Sequence, residues 1–452
     1  MSLPLWRAVA AALLVLAAGL MGQGVGTAVA KPAVLTAAEM RAFGMEALAK
    51  GYAQQALEIA EALGQRDPRD SSAYVLKAQA LRVLQRLPES EAAARQAWSL
   101  AQDAGTRYQA ATTVAQALSL QGHRTSAQYW LRQAVQNAPN GAAQAQALQD
   151  FNYVRSQNPL SLRLDASLRP SDNVNGGTRV TSFALGGQTV SVPGNLEALS
   201  GLTWSLGAQG GYKLAASPTG VTRLIFGMTQ QGVVLSKAAQ AQAPGARNAD
   251  YAFSQLSLGV ERKTYTDLGQ WTLTAEAAHN WYGGVNLSDS LALDLGIDRP
   301  RGQGTVSYGA TVTRQIRRDR PQSSSTEAEL TTETTQSGPQ GDRWTGSLSV
   351  TRSWSHDKLV DHAEAAVGLD WQAAHPVAGV TLGANLGLQA AIYGVQGRRD
   401  GRWSTGLTAT LDKVGYLGFA PVLSLSMAQT NSNILLHTTR SFGIGLSIRS
   451  RF

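Results

Sequence analysis

A chain of 452 residues allows two or three domains, and 46 glycines with only 15% charged residues suit a strand-rich body with many tight turns. There is no cysteine, which excludes disulfides and thiolate metal sites. The formal charge of +8 comes without a Lys/Arg run interleaved with aromatics, so nucleic acid is not read as a partner; an anionic lipid surface, an acidic client or a plain solvated surface each accommodates the balance.

Residues 1–30 read as a secretory signal peptide. Arg7 supplies a thin positive start, Ala8 to Met21 an apolar run, and Ala28-Val29-Ala30 a small-x-small cleavage site before Lys31. That run is short for a spanning helix, and no later run is long enough to cross a bilayer as one. A membrane reading therefore requires a closed barrel, because lipid offers no partner for unpaired backbone groups.

Residues 31–158 are Ala-, Gln- and Leu-rich with helical spacing, and they repeat. Gly44, Ala56 and Pro68 occupy the two small positions and closing proline of a tetratricopeptide (TPR) unit, and Ala78 follows Gly44 at the 34-residue period. Gly122, Ala127, Ala134 and Pro139 fit a third unit, and Ala142 to Val154 a capping helix. Met40 and Tyr74, on first helices, are the residues expected to line the groove of such a stack.

From residue 159 to 452 the texture becomes Ser/Thr/Gly-rich, with period-two segments between turn residues. Fourteen strands are expected, beginning near residues 160, 199, 220, 250, 268, 287, 303, 324, 342, 361, 378, 401, 419 and 438. The patterns near 287 and 324 are less regular, which leaves twelve or sixteen strands as alternatives. The fold class is thus α + β multidomain: a TPR-like helical domain followed by an antiparallel transmembrane β-barrel. An even strand count puts both termini of the barrel segment on one side, read as periplasmic, where the helical domain would sit.

The last strand carries the clearest pattern. Phe442, Ile444, Leu446, Ile448 and the terminal Phe452 are apolar, and Gly, Ser or Arg fill the positions between. Such a strand sets an apolar face to lipid and a polar face to a lumen, and it reads as a signal to barrel-assembly machinery. Trp271, Trp281, Trp344, Trp354, Trp371 and Trp403 fall near strand ends, where an indole suits the membrane interface.

No catalytic constellation emerges. The six histidines form no metal spacing and no GxSxG elbow exists, so neither an enzyme nor a cofactor is predicted. His356-Asp357 and Asp361-His362 bracket a hairpin tip, read as a hydrated turn. Arg449 and Arg451 are expected to face the lumen, with Arg163, Arg314, Arg352 and Arg440 on or beside strands, making a cation-lined interior balanced by Glu276, Glu364 or Asp370. Salt bridges stiffening the wall are the alternative reading.

Three stretches carry a family resemblance. Asp172 and Asn173 lie in a polar turn after the first strand, Asn431-Ser432-Asn433-Ile434 lies before the last strand, and the chain ends on Arg-Phe. These resemble the surface lipoprotein assembly modulators (Slam family) of Gram-negative bacteria, although Leu435-Leu436-His437 replaces the proline and aromatic common there. The resemblance implies a periplasmic TPR domain and a fourteen-stranded outer-membrane barrel that exports or displays a client surface lipoprotein or secreted protein. Its implied partners are the client, a periplasmic chaperone, barrel-assembly machinery and outer-membrane lipid. The alternative function is a porin-like channel for small solutes or exported polysaccharide.

Overall fold

The computed structural model describes residues 35–185 and 188–450. The segment read as a signal peptide, and both Arg451 and Phe452, lie outside the described residues. The chain divides after Asn158 into two compact units.

The first unit contains, among the described residues, α1 (Ala37–Ala49), α2 (Ala53–Arg66), α3 (Ser71–Val83), α4 (Leu87–Leu100), α5 (Ala104–Leu120), α6 (Arg124–Gln136) and α7 (Gly141–Gln157). Odd-numbered helices start on side-chain caps. Thr36 and Glu39 form a capping box on α1, and Asp70, Asp103 and Asn140 cap α3, α5 and α7. Even-numbered helices lack such caps and follow tight turns whose residue at positive φ is Gly51, Gln85 or Gly122. Since α1, α3 and α5 begin at residues 37, 71 and 104, the TPR-like period is real in space. Ala56, Ala78, Ala94, Ala97, Ala110 and Ala127 are fully buried where paired helices meet. Gly44 shows why small residues are needed: a Cβ there would lie 2.5 Å from Leu76 Cδ2.

The second unit is a closed antiparallel barrel of fourteen strands. They are β1 (Leu160–Ser171), β4 (Gly201–Ser217), β5 (Gly220–Leu235), β6 (Phe253–Thr266), β7 (Gly269–Tyr282), β8 (Val285–Arg301) and β9 (Gly304–Arg317), then β10 (Ser325–Ser337), β11 (Arg343–Ser355), β12 (His362–Gln372), β13 (Val380–Tyr393), β14 (Arg399–Leu411), β15 (Phe419–Ser432) and β16 (Thr439–Ser450). The short β2 (Ser182–Leu185) and β3 (Gln188–Ser191) form a separate two-stranded sheet. The less regular segments near 287 and 324 are full strands, β8 and β10, so the count is fourteen. The β10 pattern is less regular in sequence because its outward row mixes Thr326, Thr332 and Thr334 with Ala328 and Leu330.

Register fixes which residues share a face. Leu291 faces the same side as Arg314, Leu293 as Val312, Val350 as Ala365, and Leu407 as Leu425. Large apolar residues of this face stand bare; Leu330 is 65% exposed and Leu407 58%. An apolar band of this kind around a closed sheet is a lipid-facing exterior. Trp271, Trp281, Trp344, Trp354, Trp371 and Trp403 all lie on it by register, near strand ends. Trp344 and Trp371, side by side, both donate their indole N–H to Asp342, at 2.5 and 3.1 Å.

The two barrel ends differ. One has two-residue turns at 218–219, 267–268 and 302–303. The other carries the long connections 172–200 and 236–252, the second including α8 (Lys237–Gln242). These connections share a core of Leu199, Val233, Leu235, Ala239 and Ala243.

Candidate functional site

Three features bear on function: a groove on the helices, the polar barrel interior and the seam where β1 meets β16. The groove, with a cavity of about 450 Å³, is lined from α1 by Met45, Leu48 and Ala49, from α3 by Gln79, Arg82 and Val83, and from α5 by Tyr108, Gln109, Thr112, Thr113 and Gln116. It combines apolar anchors, side-chain amides and a guanidinium. Arg82 Nε and Thr112 Oγ1 are buried within it without a hydrogen-bond partner from the protein, so each can bond a bound polar group. Tyr108 OH is already committed, donating to Ala143 O at 3.2 Å.

Met40 and Tyr74 do not line this groove, which corrects the expectation from sequence. Tyr74 packs against the core of Val75, Ala97 and Ala110. Met40 shares its helix face with the buried Gly44 and Ala47, whereas Met45 and Leu48 point elsewhere, as a rotation of about 100° per residue dictates.

Inside the barrel, register sets Glu364, Asp370, Arg449, Arg163 and Glu276 on the lumen face. The Arg163 side chain is 75% exposed despite facing inward and pairs with Asp165 at 3.2 Å, so the interior is open to water. Arg314, Arg352 and Arg440 face outward instead: they are register partners of Leu291, Ala363 and Gln429 on the lipid side. The facing expected from sequence is therefore corrected for Arg314, Arg352 and Arg440, while Arg163 and Arg449 do face inward. One row across the wall runs Asp294, Thr311, Glu329, Thr351, Glu364, Ala391 and Asp400, with carboxylates on alternate strands from β8 to β14. Thr311 Oγ1 donates to Asp294 at 2.7 Å. Arg163, Arg169, Arg223 and Arg449 lie on β1, β5 and β16 across from that row, and Arg223 pairs with Glu261 at 3.0 Å.

The seam differs from every other strand pair. β1 meets β4 continuously from Leu160↔Tyr212 to Ser171↔Gly201, whereas among the described residues it meets β16 only at Ser167↔Ser447, Leu168↔Leu446 and Ser171↔Gly443. Pro170 contributes to the gap, having no amide hydrogen to give. Beyond the strands the motif residues take over. Phe442 N donates to Asp172 Oδ1 at 2.6 Å and Asn173 Nδ2 to Arg440 O at 2.9 Å. In the second motif, Arg399 N donates to Asn433 Oδ1 at 2.7 Å, Ile434 N to Ser432 Oγ at 3.2 Å and Gln429 Nε2 to Asn431 Oδ1 at 2.8 Å. Phe442, Ile444, Leu446 and Ile448 all face outward, 40–54% exposed.

The bracketing of His356 and His362 around one tip is a self-satisfied turn. Asp357 accepts from Ser323 Oγ and Leu359 N, Asp361 pairs with Arg352, and His362 stacks on Tyr393. No group of three His, Asp or Glu among the described residues could hold a metal.

The fold and these features define a class: a TPR-like helical domain followed by a fourteen-stranded barrel with an apolar exterior and a wet, charged interior. Residues 150–442 match the family model described as Protein of unknown function (DUF1302), and the chain belongs to that family. That match does not confirm membership of the surface lipoprotein assembly modulators, although the TPR-like helices followed by a fourteen-stranded barrel are consistent with their layout. No curated protein matches the chain. Among solved structures, the TPR2B-domain:pHsp70 complex of yeast Sti1 is 24% identical over 27% of this chain and 98% of its own, with a TM-score of 0.25. The Vibrio cholerae outer membrane protein OmpT, lacking loop L8, is 9% identical over 64% of this chain and 99% of its own (TM-score 0.36). Pseudomonas putida OprB is 10% identical over 67% and 96%, also at 0.36.

Proposed function

We propose that this chain is an outer-membrane translocator that exports or displays client proteins, lipidated or soluble, with the helical domain engaging the client or its chaperone in the periplasm. The observation that carries the reading is the groove of α1, α3 and α5, where exposed Met45 and Val83 flank the orphaned Arg82 Nε and Thr112 Oγ1. A solute channel has no use for such a surface; an extended polypeptide offers both apolar side chains and backbone carbonyls to it. In this reading the barrel end with the connections 172–200 and 236–252 is extracellular and the end with the turns 218–219, 267–268 and 302–303 is periplasmic. The segment read from sequence as a signal peptide and the alternating last strand support export and barrel assembly. In this reading the protein is not an enzyme, takes no cofactor, and draws its driving force from client folding or capture outside the cell.

A porin-like channel is the second reading, favoured by the hydrated, charged lumen face. Deleting residues 36–157 separates the two. The translocator reading expects a normally inserted barrel and the loss of at least one polypeptide from the surface-shaved or secreted proteome, restored by the full chain. An unchanged proteome with altered uptake of small charged solutes would favour the channel.

A further inference from the structure

Five guanidinium groups lie where a lipid-facing barrel should carry none unless something anionic receives them. Arg314, Arg352, Arg399 and Arg440 face outward by register, as partners of Leu291, Ala363, Ile392 and Gln429. Arg318, just past β9, pairs with Asp289, itself outward beside Ile316. All five lie within a few residues of the strand ends that carry the long connections. Outward tryptophans intersperse them: Trp281, Trp354 and Trp403, with Arg352 over the Trp354 ring at 5.5 Å.

Protein partners answer this charge only in part. Arg352 pairs with Asp361 at 2.7 Å, and Arg314 donates to a neutral hydroxyl, Thr326 Oγ1, at 2.9 Å. Among the described residues Arg399 and Arg440 make no ion pair. A charge on the lipid side is costly unless it reaches the interface and meets a counter-charge there. Arginine is also the side chain whose planar fork fits a phosphate bidentately.

We propose that these outward arginines and tryptophans form a girdle that binds phosphate-bearing lipid of the outer leaflet, the guanidinium groups taking the phosphates and the indoles the region where acyl chains begin. The inference rests on the outer-membrane orientation given under Proposed function; it does not depend on the identity of any client. It assigns a task to the basic balance of the chain that the lumen does not absorb. Arg262 and Arg299 also face outward, as partners of Leu273 and Val306, but near the end with tight turns, and so serve as internal controls.

The test uses the full mature chain in detergent, with native mass spectrometry or fluorescence titration against diphosphorylated lipid A, its dephosphorylated form and inorganic phosphate. The expected result is retention of the diphosphorylated lipid over the dephosphorylated one, with roughly tenfold weaker binding for R314Q/R352Q/R440Q and no change for R262Q/R299Q. Heat-modifiable migration of each variant confirms a folded barrel, and the single variant R440Q, away from the Asp361 pair, keeps the test valid should the triple variant fail to fold. Equal binding by the outer-end variants, no preference for the phosphorylated lipid, or displacement by millimolar inorganic phosphate alone would overturn the girdle while leaving an outer-membrane barrel intact. Absence of the wild-type chain from the outer-membrane fraction would remove the orientation, and the girdle with it.

Discussion

Asp172 and Phe442 bond to each other twice across the line that closes the barrel: Asp172 N donates to Phe442 O at 3.1 Å, and Phe442 N donates to the Asp172 carboxylate at 2.6 Å. One side chain thereby supplies the ladder bond that the gapped β1–β16 pairing lacks. Asn173 extends the fastening, joining Gly177 O and Arg440 O at 2.9 Å each through its amide nitrogen. The polar turn after the first strand is thus a latch on the last.

Asn173→Ala should destabilise the folded barrel by about 1–3 kcal/mol, because a buried amide and the carbonyl of Arg440 lose their partners. Asp172→Asn, which keeps an acceptor oxygen, should cost less than Asp172→Ala. The temperature at which the heat-modifiable band disappears measures both; unchanged midpoints for all three would show that the latch carries no stability.

Gly44 faces Leu76 Cδ2 and Ile59 Cγ2 at the meeting of α1, α2 and α3. Gly44→Val should therefore overpack this contact and lower helical-domain stability by about 1–3 kcal/mol. Thermal loss of the far-ultraviolet helix signal, with the heat modification of the barrel unaltered, is the expected outcome. Parallel loss of both would contradict an effect confined to the helical domain.

Asp103, the α5 cap, accepts first from Thr106 N and then from the Thr106 hydroxyl, and these bonds hold its carboxyl below the ordinary carboxylate range. A depressed folded pKa means that the stabilisation is present above the unfolded value, about 3.9, and is lost as pH falls through the folded value. Helical-domain stability should fall on acidification below about pH 4. Asp103→Asn, which retains a cap without the charge, should flatten that dependence in pH-resolved melts; an unaltered acid slope would sink the assignment.

The carboxylate row from Asp294 through Glu329 and Glu364 to Asp400 should give the lumen a preference for cations. In planar bilayers under a salt gradient the reversal potential should report cation selectivity, reduced in E329Q/E364Q. Anion selectivity of the wild-type chain would contradict the row.

Much of the architecture was legible in the residues. Strand starts fall within three residues of the expected positions because alternation is enforced on both faces, lipid outside and water inside. The helical repeat was legible because close helix packing demands small side chains at fixed spacing. Facing was harder at strand ends. Arg314, Arg352 and Arg440 look like lumen residues in a linear reading because arginine is rare on lipid, and only register with Leu291, Ala363 and Gln429 reveals otherwise. The carboxylate row was invisible for the same reason: its members lie on alternate strands far apart in the chain. Arg82 and Thr112 could have been found by aligning the outward faces of first helices, whereas Met40 and Tyr74 lie on the buried ones.

In the proposed orientation, residues 159–450 are a lipid-embedded barrel with its long connections outside the cell. A protease tag-cleavage site inserted between Gly245 and Arg247, in intact cells, tests it most directly. The expected result is cleavage there without lysis, protection of an equivalent site in the turn at 267–268, and a carbonate-resistant, heat-modifiable product in the outer membrane. Cleavage confined to the 267–268 turn, or recovery of the chain as a soluble periplasmic protein, would contradict it.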